Sequence, residues 1–143
     1  MIIYQKWITR SDLQKNPDLF YLFGDNNARK GYGGQAKEMR GEPNAIGIRT
    51  KWLPSNDPLS FFYDDQLVEK DTAGMIIDDF LEAISIIKEG GVVVIPSDGL
   101  GTGLSRLPEV APKTHKLVTD MVDYLTTVDK ITGGYRRCGG ASL

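Results

Sequence analysis

Val92-Val93-Val94-Ile95-Pro96-Ser97-Asp98-Gly99-Leu100-Gly101-Thr102-Gly103 is the stretch whose reading decides the fold. Its first four residues are fully apolar and β-branched, which suits a central parallel strand buried on both faces. The chain leaves that strand in a glycine-rich loop. Upstream, between Asp71 and Lys88, Ile76, Ile77, Phe80, Leu81, Ile84 and Ile87 recur at three- and four-residue spacing, with Asp71 or Thr72 as cap and Gly90-Gly91 as stop; this predicts an amphipathic helix. Downstream, a last helix is expected from about Pro108, with Val110, Leu117, Val118, Met121, Val122 and Leu125 on one stripe.

The same alternation extends toward the amino end. Leu19-Phe20-Tyr21-Leu22-Phe23 is a second continuous apolar run, entering the loop Gly24-Asp25-Asn26-Asn27. After Gly31-Tyr32-Gly33-Gly34, residues 35–40 are good helix formers stopped by Gly41 and Pro43. Ala45–Lys51 reads as a strand, and so does segment 2–9, with Ser11-Asp12 offering the next helix cap. Residues 52–70, with Pro54 and Pro58, suggest a long surface connection with a short edge strand at Phe61-Phe62-Tyr63. Residues 1–131 are thus expected to form one α/β domain, a mixed, mostly parallel sheet with helices on both faces. Residues 132–143 are expected to be a flexible glycine-rich tail.

The bulk numbers narrow the function. The chain has 143 residues, a length sufficient for one real core, and 41% of them are apolar and 25% charged, an ordinary globular composition. No apolar run approaches the roughly 20 residues of a membrane helix. Met1–Lys6 lacks the basic and apolar segments of a secretory leader, so a cytoplasmic location is expected. One cysteine, Cys138, and one histidine, His115, cannot assemble a zinc-ligand cluster, and no metal or cofactor is indicated. Off the apolar stripe of its helix, His115 reads as a surface residue. Net charge of −2 gives no general attraction to nucleic acid, although Arg29, Lys30, Lys37 and Arg40 bring local positive charge, either as a solvated rim or as part of an anion site.

Both glycine-rich loops follow apolar strands, so both stand at the carboxyl edge of the sheet, where ligands of such sheets bind. Glycine lets backbone N–H groups approach a phosphate closely. Gly33-Gly34 also opens a predicted helix whose free amides favour an anion, and Gly101-Thr102-Gly103 offers the same approach from the other side, with the Thr102 hydroxyl as a further donor. Neither loop fits a P-loop or a dinucleotide fingerprint. Taken singly, either loop reads more readily as a set of tight turns; two at one sheet edge favour a site.

Together, Asn26 followed by Gly31-Tyr32-Gly33-Gly34-Gln35-Ala36, the strand ending Ile48-Arg49-Thr50-Lys51, and Gly101-Thr102-Gly103-Leu104-Ser105-Arg106-Leu107 resemble the macro domain family. The likeness is nearest the branch containing the terminal ADP-ribose glycohydrolase and the bacterial antitoxins that remove ADP-ribose from DNA. The resemblance implies a three-layer fold that holds ADP-ribose, or an ADP-ribosyl group on a protein or nucleic acid, between the loops. Asn26 would face the distal ribose; Gly31, Tyr32, Gly33, Gly34 and Gln35 would wrap the phosphates with Thr50, Gly99, Gly101, Thr102, Gly103, Leu104 and Ser105.

In that branch the lysine of the Thr-Lys pair is catalytic, which makes Lys51 the candidate nucleophile, whereas a strand-end lysine is ordinarily solvated. An amine attacks only when neutral, and Arg49 could lower its pKa. The sequence departs from the family where Ser105 replaces an aspartate and Ala36 replaces an acid. Asp12 is the nearest candidate for the adenine-reading aspartate, and Asp57, Asp64, Asp65 and Glu69 are the candidates for a replacement carboxylate. Three functions follow: an ADP-ribosyl hydrolase, a non-catalytic reader or sequestering protein, and a structural protein that keeps only the fold.

Overall fold

The computed structural model describes the backbone of residues 1–142 and the side chains of residues 1–133. Four strands, β1 (Ile2–Gln5), β2 (Leu19–Asn26), β3 (Ala45–Lys51) and β4 (Val92–Pro96), form one sheet in the order β1-β4-β2-β3, and every pairing within it is parallel. The expected mixed sheet is therefore uniformly parallel, with one isolated antiparallel bridge between Lys51 and Phe61 outside it.

Alternation along each strand feeds two apolar layers. Leu22, Ile46, Ile48, Val93 and Ile95 face α4 (Thr72–Lys88), α5 (Leu107–Val110) and α6 (Pro112–Ser142). Tyr21, Phe23 and Val94 face the other way, onto Leu13 of α1 (Arg10–Lys15) and Ala36 and Met39 of α2 (Ala36–Met39). The result is a three-layer α/β domain. In α4 the buried apolar positions are Ile76, Phe80, Ala83 and Ile87, while Ile77 and Leu81, assigned to the same stripe from spacing, are exposed.

Several segments differ from their sequence reading for identifiable reasons. The first strand ends at Gln5 rather than Thr9, because Thr9 closes a capping box with Asp12 at the start of α1. Ile8, instead of joining the ladder, exchanges two hydrogen bonds with the Gln35 side-chain amide, at 3.1 and 3.0 Å. Only one helical turn forms after the first glycine loop, since Arg40 is extended and Gly41 has φ +92°. Connection 52–70 is not merely a surface loop: Phe61 and Phe62 are buried, and Trp52 meets Phe62 edge-on with ring centroids 5.0 Å apart. It carries a 3-10 turn at Pro58–Ser60 and the short α3 (Gln66–Glu69) in place of an edge strand. Asp64 anchors it to α6 by accepting from Lys113 N, Thr114 N and Thr114 Oγ1 at 2.9–3.1 Å.

The outer edge of β3 is closed by side chains: Arg29 donates to Gly47 O at 2.9 Å and Arg49 N donates to Asp79 Oδ2 at 2.8 Å. No helix among the described residues is long and apolar enough to cross a membrane. Beyond Gly133, the tail expected over 132–143 lies outside the residues whose side chains are described.

Candidate functional site

A parallel sheet delivers all its carboxyl ends to one side, so the loops after β2 and β4 meet there. Two adjoining cavities of about 210 and 70 Å³ lie between them, sharing Gly24, Gly33, Leu104 and Ser105 in their walls. A larger groove of about 360 Å³ runs along β3 among Asp78, Asp79 and Glu82. It contains neither glycine-rich loop, and Asp25, Arg29, Arg40, Glu42 and Asp79 in its walls are held in ion pairs, so the smaller, composite cleft is the candidate site.

The first loop is closed by Asn26, whose Nδ2 donates to Lys30 O at 2.7 Å and whose Oδ1 accepts from Lys30 N at 3.4 Å. Gly31, at φ +92°, passes so near Pro54 that an added Cβ would stand 2.9 Å from the proline Cβ. A Cβ on Gly33 would come within 2.5 Å of Leu104 Cδ1, so in this arrangement the two loops meet where Gly33 has no side chain. In the second loop Gly99 and Gly101 are left-handed, at φ +93° and +77°, and Gly101 packs under Leu107 and Thr50. Gly103 is in neither situation: its backbone is not left-handed and a Cβ there would meet nothing within 4 Å.

Hydroxyl protons at the site are already used. Thr102 Oγ1 donates to Asp98 O at 2.7 Å, so it cannot be the extra donor expected from its position. Thr50 Oγ1 donates to Asp25 O at 3.2 Å and lies 2.5 Å from Ser105 Oγ, which assigns the Ser105 proton to Thr50 and leaves Ser105 only acceptor capacity toward the cleft. Gln35 gives one amide proton and its Oε1 to Ile8. Besides the cationic side chains, the donors left over the cleft are backbone amides, the group glycine exposes best.

Lys51 stands at the end of β3 in the wall of the smaller cavity and is 4% exposed, not solvated as a strand-end lysine usually is. Its Nζ donates to Ser55 O at 2.8 Å and sits 4.5 Å from the centroid of the Phe61 ring. Burial holds its pKa below the ordinary lysine value. The expected contribution of Arg49 is absent, because that guanidinium is turned to Asp79 Oδ2 (2.9 Å), Asn27 Oδ1 (3.1 Å) and Met75 O (3.2 Å). Among the described residues no carboxylate lies within ion-pair distance of Lys51 Nζ.

The structure brings together Asn26, Gly31, Gly33, Gly34, Gln35, Lys51, Gly99, Gly101, Thr102, Gly103, Leu104 and Ser105 in the walls of the two cavities. Thr50 is buried behind them, and Tyr32, 67% exposed, stands outside both. Asp12 belongs to the capping box of α1, its Oδ2 accepting from Thr9 N and Gln5 Nε2 at 2.9 Å, and it lines neither cavity. None of Asp57, Asp64, Asp65 and Glu69 reaches either cavity; Asp57 caps the 3-10 turn and Asp64 caps α6.

Lys6, Trp7, Asp98, Asp25 and Arg40 also line the cleft. Trp7 falls within the strand expected over 2–9 but stands two residues beyond the end of β1, in the cleft wall. Three cations, Lys6, Lys30 and Arg40, and the Lys51 amine line the cleft with two carboxylates, Asp25 and Asp98, so it is locally basic in an acidic chain. Among the described residues no group of three His, Cys, Asp or Glu side chains is disposed to hold a metal.

The model of a family of unknown function, DUF7831, matches residues 3–121, most of the chain, which therefore belongs to that family. No curated protein and no solved structure matches it.

Proposed function

We propose that this member of the DUF7831 family binds ADP-ribose, or an ADP-ribosyl group carried by a protein or nucleic acid, in the cleft between its two glycine-rich loops. One observation carries the reading: two glycine loops from adjacent strands touch at Gly33 and Leu104 over a basic cleft whose hydroxyl donors are spent, leaving backbone amides for a diphosphate. Trp7, 55% exposed in the wall of the larger cavity, offers a flat face to the base, and the smaller cavity, with Asn26 and Lys51, takes the distal ribose.

Lys51 supplies the chemistry. Its neutral amine adds to the anomeric carbon of the distal ribose; the N–C bond forms as the bond to the modified group breaks, and the amine proton passes through solvent to that leaving group. Water then replaces the amine, releasing ADP-ribose and restoring Lys51. Burial, which favours the uncharged amine, supports this role.

A non-catalytic reader is the second reading, favoured by the lack of a free carboxylate beside Lys51. Asp25, the one carboxylate in the smaller cavity, is bound by Arg40 and Arg29. Calorimetric titration with ADP-ribose tests the shared claim. Turnover of an ADP-ribosylated substrate by wild type but not by Lys51→Ala selects the hydrolase, and binding without turnover selects the reader.

A further inference from the structure

We propose that Arg40 is the positioning residue of the first glycine-rich loop, turning the backbone amides of Gly31 and Tyr32 toward the phosphates; this rests on the reading of the cleft as an ADP-ribose site. Arg40 Nε donates to Gly31 O at 2.7 Å and its Nη2 to Lys30 O at 3.2 Å. In a trans peptide the carbonyl of one residue and the N–H of the next point in opposite directions. The described backbone has no cis bond, so two consecutive carbonyls gathered under one guanidinium leave two consecutive N–H groups facing away from it.

The guanidinium is fixed from behind. Asp25, buried at the end of β2, accepts from Arg40 Nη2 at 2.5 Å, from Arg29 Nη1 at 3.0 Å and from Asn26 N at 2.8 Å. Arg29 continues to Asp79 at 2.8 Å, and Asp79 holds Arg49 at 2.9 Å. The guanidinium also lies 5.7 Å from the Phe23 ring centroid. Signs alternate through Arg40, Asp25, Arg29, Asp79 and Arg49, so the chain of pairs ties the loop to α4. No helix dipole substitutes for it, since α2 is a single turn. A lysine keeps the charge but has no planar fork with which to span a carboxylate and two carbonyls.

The test compares wild type with Arg40→Lys, measuring affinity for ADP-ribose and for inorganic pyrophosphate by calorimetry and NMR backbone order parameters at residues 30–33. The expected result is affinity for both ligands weaker by about tenfold or more. Order parameters at these residues should fall from roughly 0.85 toward 0.6, with melting still cooperative. Unchanged order parameters overturn the proposal whatever the affinity, since a loss of binding alone would mean that Arg40 merely touches the ligand. Unchanged affinity overturns it as well. If Arg40→Lys does not fold, Asp25→Asn, which loosens the guanidinium from its anchor, carries the same comparison. Wild type that binds neither ligand defeats the reading of the cleft, and with it the phosphate-directing role assigned to Arg40; binding by wild type that Arg40→Lys retains defeats the proposal alone.

Discussion

Gly33 and Leu104 meet where the two glycine-rich loops cross, with Leu104 Cδ1 standing 2.5 Å from where a Cβ of residue 33 would be. Neither loop makes the cleft by itself. Gly33→Ala is expected to displace the Leu104 side chain from the cleft wall and to weaken ADP-ribose binding more than it lowers the melting temperature, because Leu104 is exposed and has room to yield. Calorimetry beside a thermal melt checks this; equal loss of both would mean the contact serves folding rather than the cleft.

Gly103 and Gly101, two residues apart, should respond in opposite ways. At Gly103 the backbone accepts a side chain and the space is open, so Gly103→Glu should melt within a degree or two of wild type, as surface changes of below about 0.5 kcal/mol do. It would nevertheless abolish ADP-ribose binding by placing an anion in the cleft. Gly101→Ala, forced to φ +77° against Leu107, should destabilise by roughly 1–3 kcal/mol.

Lys51 gives a signed pH dependence. Its folded pKa lies below its ordinary value of 10.5, so between the two the native state binds fewer protons than the unfolded chain and stability rises with pH. Lys51→Met keeps the apolar stem and removes the buried charge. It should melt a few degrees above wild type at neutral pH, the shift that about 1 kcal/mol gives a domain of this length, and the gap should close as pH climbs toward 10.5. A gap independent of pH would mean the ammonium carries no burial penalty.

Asp64 gives a pH dependence of the same sign at the acid end, but through a charge that the fold favours. Burial tends to raise its pKa, but hydrogen bonds from Lys113 and Thr114 outweigh this and hold it below the usual 3.8. Its contribution is therefore complete above that value and lost as pH falls through the lower, folded one. Asp64→Ala should cost about 1 kcal/mol at pH 7, as loss of a helix cap does, and should flatten the acid limb of the stability curve. Urea denaturation across pH 2–7 measures both.

Trp7 should report on the base. Trp52 is packed on Phe62, whereas Trp7 is 55% exposed in the cleft wall, so quenching of tryptophan fluorescence by ADP-ribose should vanish in Trp7→Phe and persist in Trp52→Phe. Ribose 5-phosphate, which has no base, should quench neither.

The strands were readable because Leu19–Phe23 and Val92–Ile95 are unbroken apolar runs, and a parallel sheet covered on both faces requires such runs. The two loops were readable because glycine marks where backbone must turn left-handed or pass close to a neighbour, as at Gly31, Gly99 and Gly101. What spacing could not reveal depends on contacts distant in sequence. Asp25 and Arg40 are 15 residues apart and Arg29 and Asp79 are 50 apart, so the ion pairs behind the loop have no local pattern. The burial of Lys51 depends on Phe61, from a connection whose prolines and acids suggested surface. The hydroxyls of Thr50, Thr102 and Ser105 look like free donors in sequence and are committed only once the chain has folded.

The capping of β3 by Arg29 and Asp79 bears on how the protein behaves in a crowded solution. A parallel sheet ending in an open strand presents free N–H and C=O groups on which another chain can add a strand, the usual start of edge-to-edge aggregation. Here the carbonyl of Gly47 and the amide of Arg49 are already taken by charged side chains from outside the sheet. An incoming strand would have to strip away two ion-paired groups before gaining its first rung. The chain of charges that steadies the cleft thus also hinders strand addition along β3.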